Sequence, residues 1–259
     1  MLGFVLDAAR RYRRIWLLRR LPYPAMVPPP LPEVQETVAQ SFDYQDALDL
    51  NEARIKNLDY MQLPLADKSV VDVGAGVGHL AQALVQRGCM VTCAEGRQEN
   101  VDEIRRRLPG VRAAVFDVER GDLSQLGKFD VVFCYGLIYH VENPLFALRN
   151  LASAASNLLL IESMVCDSYH PVMHIEEEPL TPNQALRGFG CRPSPSFLTF
   201  ALKRLGFHVY GPKVLPDHPC YHFQWRDSLR TREQGRGLRA VLVAAREPLH
   251  LPTLVRLDA

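Results

Sequence analysis

The chain has almost no charge excess: 30 Lys and Arg stand against 29 Asp and Glu, a formal net charge of +1. That excludes the global basic signature of a nucleic-acid-binding domain. Long apolar runs are missing as well. A run such as NLLLIES (157–163) falls far short of the roughly 20 residues needed to cross a bilayer. The first residues show neither the apolar core nor the cleavage site of a secretory signal, and this points to the cytoplasm. The six cysteines, at 89, 93, 134, 166, 191 and 220, form no C-x-x-C pair. Cys134 sits inside an apolar run, the usual setting of a buried, reduced thiol. No internal repeat is visible, and the only biased tract is rich in proline.

What is present is an ordinary globular composition, 47% hydrophobic and 23% charged over 259 residues. The length suits one α/β domain with a large core. An N-terminal basic and proline-rich arm (1–43) precedes that domain (44–259). It opens on AARRYRRIWLLRR, which has helical composition, and continues into LPYPAMVPPPLP, which proline bars from a helix. Two readings stand side by side: an arm that touches an anionic partner or a membrane surface, or a solvated helix on a stiff linker.

From Tyr44 the pattern becomes regular. YQDALDLNEARIKNLDYM places Leu48, Ile55 and Leu58 at helical spacing. SVVDVGAG, MVTCAEG, RAAVFDV, FDVVFCYG and NLLLIES then read as strands, with helices HLAQALVQRG, NVDEIRRRL and PLFALRNLASAA between them. The strands are continuous apolar runs, as in a parallel sheet covered on both faces. The order predicts a doubly wound α/β fold. An insertion (163–200), rich in Pro, His and Glu, follows the fifth strand and reads as a lid over the substrate. SFLTFALKRLGF is an amphipathic helix with a glycine stop, and HVYGP and RAVLVAAREP are the last two strands.

The first strand runs straight into VVDVGAGVGH (70–79), with glycines at 74, 76 and 78. Such a turn lets a large polar ligand approach the backbone at the start of a helix. The dinucleotide fingerprint G-x-G-x-x-G fails by one residue, because position 79 is His79. Glu95 ends the second strand, where an acid accepts the two hydroxyls of a ribose. Asp117 ends the third, within reach of an adenine amino group. CYGLIYHVENP ends the fourth. All four features fall at the carboxyl ends of successive strands, the ligand-binding edge of such sheets.

VVDVGAGVGHL, VTCAEG, VFDVE and FDVVFCYGLIYHVENP are similar, in order and spacing, to the successive motifs of the class I S-adenosylmethionine-dependent methyltransferases, over about residues 44–162. The resemblance implies a Rossmann-like, seven-stranded sheet, mostly parallel with an antiparallel last strand. It implies S-adenosyl-L-methionine as cofactor and S-adenosyl-L-homocysteine as its product. Asp72, Gly74, Ala75, Gly76 and Gly78 would surround the methionine and ribose, and Glu95 would take the ribose hydroxyls. Asp117 and Val118 would meet the adenine, and Tyr135 and Gly136 the methyl-transfer end. It also explains the broken fingerprint, since this cofactor has no pyrophosphate. GLIYHVENP and RPSPSFLTFALKRLGF further resemble bacterial methyltransferases with a Tyr-His pair after the fourth strand, distantly including the tRNA wobble-uridine carboxymethyl transferases. Those use a carboxylated cofactor and carry a long N-terminal extension. The plain and the carboxylated cofactor both stay open here.

Methyl transfer to a hydroxyl needs alignment and a proton acceptor. His140 follows the fourth strand and titrates near working pH, so it is the candidate general base. Tyr139 either orients the nucleophile or packs. Arg54, ahead of the glycine turn, is placed to reach the cofactor's carboxylate. His170/His174 and His218/His222 have the spacing of a zinc pair, but a proline follows the first histidine of each, which disfavours a helical ligand pair, and no metal is expected. WRDSLRTREQGRGLR (225–239) gathers five arginines and reads as a solvated segment or an anion-binding one. The leading expectation is methyl transfer to a small-molecule acceptor, at oxygen or at nitrogen. An RNA-modifying enzyme of the same fold and a non-catalytic cofactor-binding protein are the alternatives.

Overall fold

The computed structural model describes residues 37–258. The basic and proline-rich tracts expected before them lie outside the described residues. A short helix α1 (Val38–Phe42) leads into α2 (Gln45–Met61), which closes on Gln62 in the left-handed conformation. The alternation then follows as β1 (Ser69–Val73), α3 (His79–Gln86), β2 (Met90–Glu95), α4 (Gln98–Arg107), β3 (Arg112–Val115), β4 (Phe129–Tyr135), α5 (Pro144–Ala154) and β5 (Ala155–Met164). Beyond it come a ribbon of β6 (Met173–Glu177) and β7 (Phe189–Pro193), then α6 (Pro195–Arg204) and β8 (His208–Pro212). A second ribbon, β9 (Arg232–Glu233) with β10 (Arg236–Gly237), precedes β11 (Arg239–Ala245) and β12 (Leu254–Arg256).

Local chemistry sets the boundaries. Asn143 and Ser194 each accept a backbone N–H of the first helical turn, from Phe146 and Phe197 at 3.1 Å, and a proline follows each cap. Gly88 ends the α3 turn at φ +79°.

The main sheet has the order β12-β8-β11-β5-β4-β1-β2-β3. β1 to β5 and β8 run one way, and β11 runs against both of its neighbours. This is the doubly wound, mostly parallel sheet that the sequence predicts. The expected count of seven strands is corrected to eight. β12 pairs antiparallel with β8, from Leu254 opposite Pro212 to Arg256 opposite Tyr210. It is three residues long and follows a stretch with two prolines, so it leaves no period to read.

Successive β5 residues point to opposite faces. Leu159 and Ile161 join Val71, Leu148 and Leu198 under α5 and α6. Leu158 and Leu160 join Leu58, Met61 and Val243 under α2. Both layers therefore rest on β5. The carboxyl ends of β1, β2, β4 and β5 meet along one edge, below the β6–β7 segment. Leu159→Ala and Leu160→Ala, one on each face, will each lower the unfolding free energy by about 2–5 kcal/mol, measured by chemical denaturation.

Candidate active site

The glycine turn is held from inside. Gly74 and Gly76 adopt φ of +76° and +56°, which an L side chain rarely tolerates. The Gly76 N–H donates to Glu95 Oε2 at 2.9 Å. The other oxygen of Glu95 accepts from the Arg97 N–H and from the Asn100 amide. The acid at the end of β2 thus fixes the turn after β1. A Cβ on Gly76 would stand 2.7 Å from the Phe42 ring, so α1 closes directly over the turn. Gly78 faces α4 instead: a Cβ there would meet Leu108 at 3.0 Å. It caps α3 and sets helix packing rather than lining a cavity.

Beneath the turn lies Asp72, 1% exposed, with no hydrogen-bond partner on Oδ2. Burial, and then the nearby charge of Glu95, push its carboxyl up to about 7. Glu95 is also raised by burial, against the hydrogen bonds it accepts. A buried carboxyl with an unpartnered oxygen, beside a second buried carboxyl, is a demand for positive charge or donors.

Two cavities open along the carboxyl edge. The first, about 90 Å³, is lined by Gly74, Gly76, Glu95, Asp117, Val118, Gly136 and His140. Its roof comes from the segment between β6 and β7, through Pro182, Asn183, Gln184 and Leu186. Arg187 of that segment pairs with Asp117 and reaches Glu119 at 3.2 Å. The second cavity, about 390 Å³, takes in Ala75, Tyr135, Tyr139, Arg54 and Arg239. Gly74, Gly76, Gly136 and His140 border both.

His140 Nδ1 is paired with Glu178, just after β6. Burial depresses the imidazole below the ordinary histidine range, and the carboxylate only partly offsets this. Burial would raise Glu178, but the hydrogen bond and charge of His140 and the Arg192 guanidinium hold it below the ordinary range. Arg192 binds Glu178 and Glu176, each at 3.0 Å. Two guanidiniums approach the Tyr139 ring, Arg192 at 5.3 Å and Arg239 at 5.0 Å from its centroid.

Arg54 does not stand free for a ligand's carboxylate: its Nη2 meets Glu162 Oε2 at 2.5 Å. Glu162 also accepts from Arg239 at 3.0 Å and from the Tyr221 hydroxyl at 2.9 Å. The five-arginine segment divides. Arg226 is exposed, Arg230 pairs with Asp167 and Glu233, and Arg239 enters the site. His170 and His174 are exposed, and His222 bonds the Pro216 carbonyl. No group of three or more His, Cys, Asp or Glu side chains is arranged to hold a metal among the described residues.

A methyltransferase-domain family model matches residues 44–211, more than half of the chain. The chain belongs to that family. It is a class I S-adenosylmethionine-dependent methyltransferase. A tRNA U34 carboxymethyltransferase of Pectobacterium carotovorum subsp. carotovorum (strain PC1) is 28% identical over 154 residues, covering 56% of this chain and 45% of that protein. A ubiquinone biosynthesis O-methyltransferase of Acinetobacter baumannii (strain AYE) is 33% identical over 118 residues, covering 40% and 46%. The matches thus span less than half the length of these curated relatives. Among solved structures, the N-terminal domain of EvdMO1 with SAH bound shares the fold at a TM-score of 0.55 and 22% identity, covering 76% of this chain and 80% of that one.

Glu178 and Arg192 are the parts of this candidate site that sequence reasoning missed, and Arg239 was marked only as one of the five arginines of 225–239. Glu178 ends the triplet Glu176–Glu178, whose only visible signal was a proline- and histidine-rich insertion.

Asp72→Asn will stabilise the ligand-free protein by about 1–3 kcal/mol at pH 7.5, because it removes a buried charge. The native carboxyl binds its proton up to about pH 7, and the unfolded one only to about 4. The gain will therefore shrink as pH falls from 7 toward 4, measured by urea unfolding across that range.

Proposed function

We propose that this methyltransferase transfers a methyl group from S-adenosylmethionine to an oxygen of a small-molecule acceptor, with His140 as general base and Glu178 as its positioning partner. The observation that carries the reading is His140 itself, at the border of the two cavities and tied to a buried carboxylate.

The residues present fit the cofactor. Glu95 is the acid for its ribose and Asp117 the acceptor at its adenine. Asp72, with its unpartnered Oδ2, supplies negative charge beneath the amino-acid end. When bound, the cofactor supplies an activated methyl group on a cationic sulfur. The chain aligns the acceptor oxygen against that methyl and takes the proton. The Glu178 carboxylate favours the proton on Nδ1 of His140, which leaves the Nε2 lone pair free. On methylation of the acceptor, its hydroxyl proton would pass to Nε2 of His140. The depressed pKa keeps His140 unprotonated at neutral pH, ready to accept. The segment 178–188 acts as the lid that excludes water. An RNA acceptor is the second reading, supported by the carboxymethyltransferase relative and by exposed Arg226, Arg232 and Arg236. Salt-sensitive retention on bulk tRNA decides between the two.

Calorimetric titration of S-adenosylmethionine tests the cofactor half. Glu95→Ala will bind at least about tenfold more weakly than wild type, and equal affinity would remove the ribose assignment. For the chemistry, His140→Ala will lower kcat by roughly 10²–10⁴ with the cofactor affinity kept. In wild type kcat/KM will rise with pH through a midpoint below about 6.5 and then stay flat, since the neutral imidazole is the active form. Glu178→Gln removes the charge that favours the imidazolium, so its midpoint will fall further while kcat drops. An unchanged profile in Glu178→Gln would leave Glu178 a purely structural role.

A further inference from the structure

We propose that the acceptor carries an anionic group, a carboxylate or a phosphate, seated against Arg232, Arg236 and Arg239 while its nucleophilic oxygen faces His140. This deepens the methyl-transfer reading and rests on it.

The argument starts from charge. Five arginines line the 390 Å³ cavity: Arg54, Arg192, Arg232, Arg236 and Arg239. Among the described residues, the only carboxylate in its lining is Asp46, whose side chain is 63% exposed. Of the five, Arg192 is matched by Glu176 and Glu178. Arg54 and Arg239 share the single carboxylate of Glu162, so one positive charge there is unmatched. Arg232 and Arg236 have no ion pair among the described residues. Both stand exposed on the β9–β10 ribbon at the rim, whose turn is made by Gln234 and Gly235 in left-handed backbone.

A second observation is independent of the arginines. Tyr135 lines the same cavity, is 4% exposed, and its hydroxyl has no hydrogen-bond partner. Burial, and then the charge of Glu162, keep that hydroxyl protonated, so it is a donor awaiting an acceptor. Guanidiniums with spare donors and a buried O–H together recognise an oxyanion, and Arg does so through paired N–H bonds. The cavity volume suits a small molecule. Arg239 is half-buried in its wall and the unpartnered Tyr135 hydroxyl is buried there, out of reach of a bulky RNA backbone, which favours a small anion.

The test uses the full chain saturated with S-adenosylhomocysteine. Benzoate, phenyl phosphate and benzyl alcohol are titrated by calorimetry into wild type, Arg236→Gln and the double variant Arg232→Gln/Arg236→Gln. At least one anion should bind about tenfold or more tightly than benzyl alcohol, and the better one names carboxylate or phosphate. That advantage should fall stepwise in the two variants, by about fivefold or more in the double one, with S-adenosylhomocysteine affinity unchanged within about twofold. Both positions are exposed, and an unchanged melting temperature confirms the fold. Benzyl alcohol binding as tightly as the anions, or anion affinity unaltered in the variants, would overturn the proposal. So would salt-sensitive tRNA retention lost in the double variant, which makes the ribbon an RNA contact. Carboxylated S-adenosylmethionine bound more tightly than the plain form, and weakened in the variants, would assign the arginines to the cofactor and also overturn it. Wild type that binds no S-adenosylhomocysteine would defeat the methyl-transfer reading and this inference with it.

Discussion

The site depends on one buried carboxylate. Glu162, at the carboxyl end of β5, is 0% exposed. It gathers Arg54 from α2, Arg239 from β11 and Tyr221 from the turn Pro219–Tyr221. Its backbone carbonyl accepts the Gly136 N–H at 3.0 Å, which sets the loop that carries Tyr139 and His140. Burial works against its charge, but Arg239 and Arg54 outweigh it and hold the carboxyl below its ordinary range. An ion cluster of this kind adds little to stability against an apolar alternative. It does fix which elements meet, because removing one member strands the rest as buried charges.

Around that point the molecule is electrically divided. The half facing β1 and β2 holds the buried carboxyls Asp72 and Glu95, while Asp117 and Glu119 after β3 are paired with Arg187. The half facing β10 and β11 is rich in guanidinium. A cofactor with a cationic sulfur and an ammonium group suits the first. His140 stands where the two halves join, and under the proposed reaction it would take up the proton that the acceptor hydroxyl releases. Opposed fields on either side of a reacting bond align dipoles before chemistry begins, and this costs no reorganisation during it.

The sequence made the scaffold half legible. Its strands are continuous apolar runs, and Glu95 lies about twenty residues past the glycine turn, so both period and spacing carried information. The insertion was different. β6 is almost wholly exposed on a two-stranded ribbon, so no alternation marks it. Glu178 and His140 are 38 positions apart, and Arg239 and Tyr139 are 100 apart. Contacts that distant are set by how the chain crosses the sheet, and local pattern does not encode that. Arg54 shows the same limit. Its helix and its facing were readable, but its partner Glu162 lies 108 residues on, inside what reads as a plain apolar strand. β12 was missed for a simpler reason, since three residues at a sheet edge do not establish a period.

The β6–β7 segment supplies Glu178, Arg187 and Arg192, and all three act on groups borne by the sheet. It enters after Met164 and leaves at Pro195, and its own strands pair only with each other. It is thus a module set over the carboxyl edge of the main sheet. In such an architecture, one continuous stretch of chain can be exchanged while the sheet and its carboxyl edge keep their own pairing. For enzyme engineering, that stretch is the natural unit to graft.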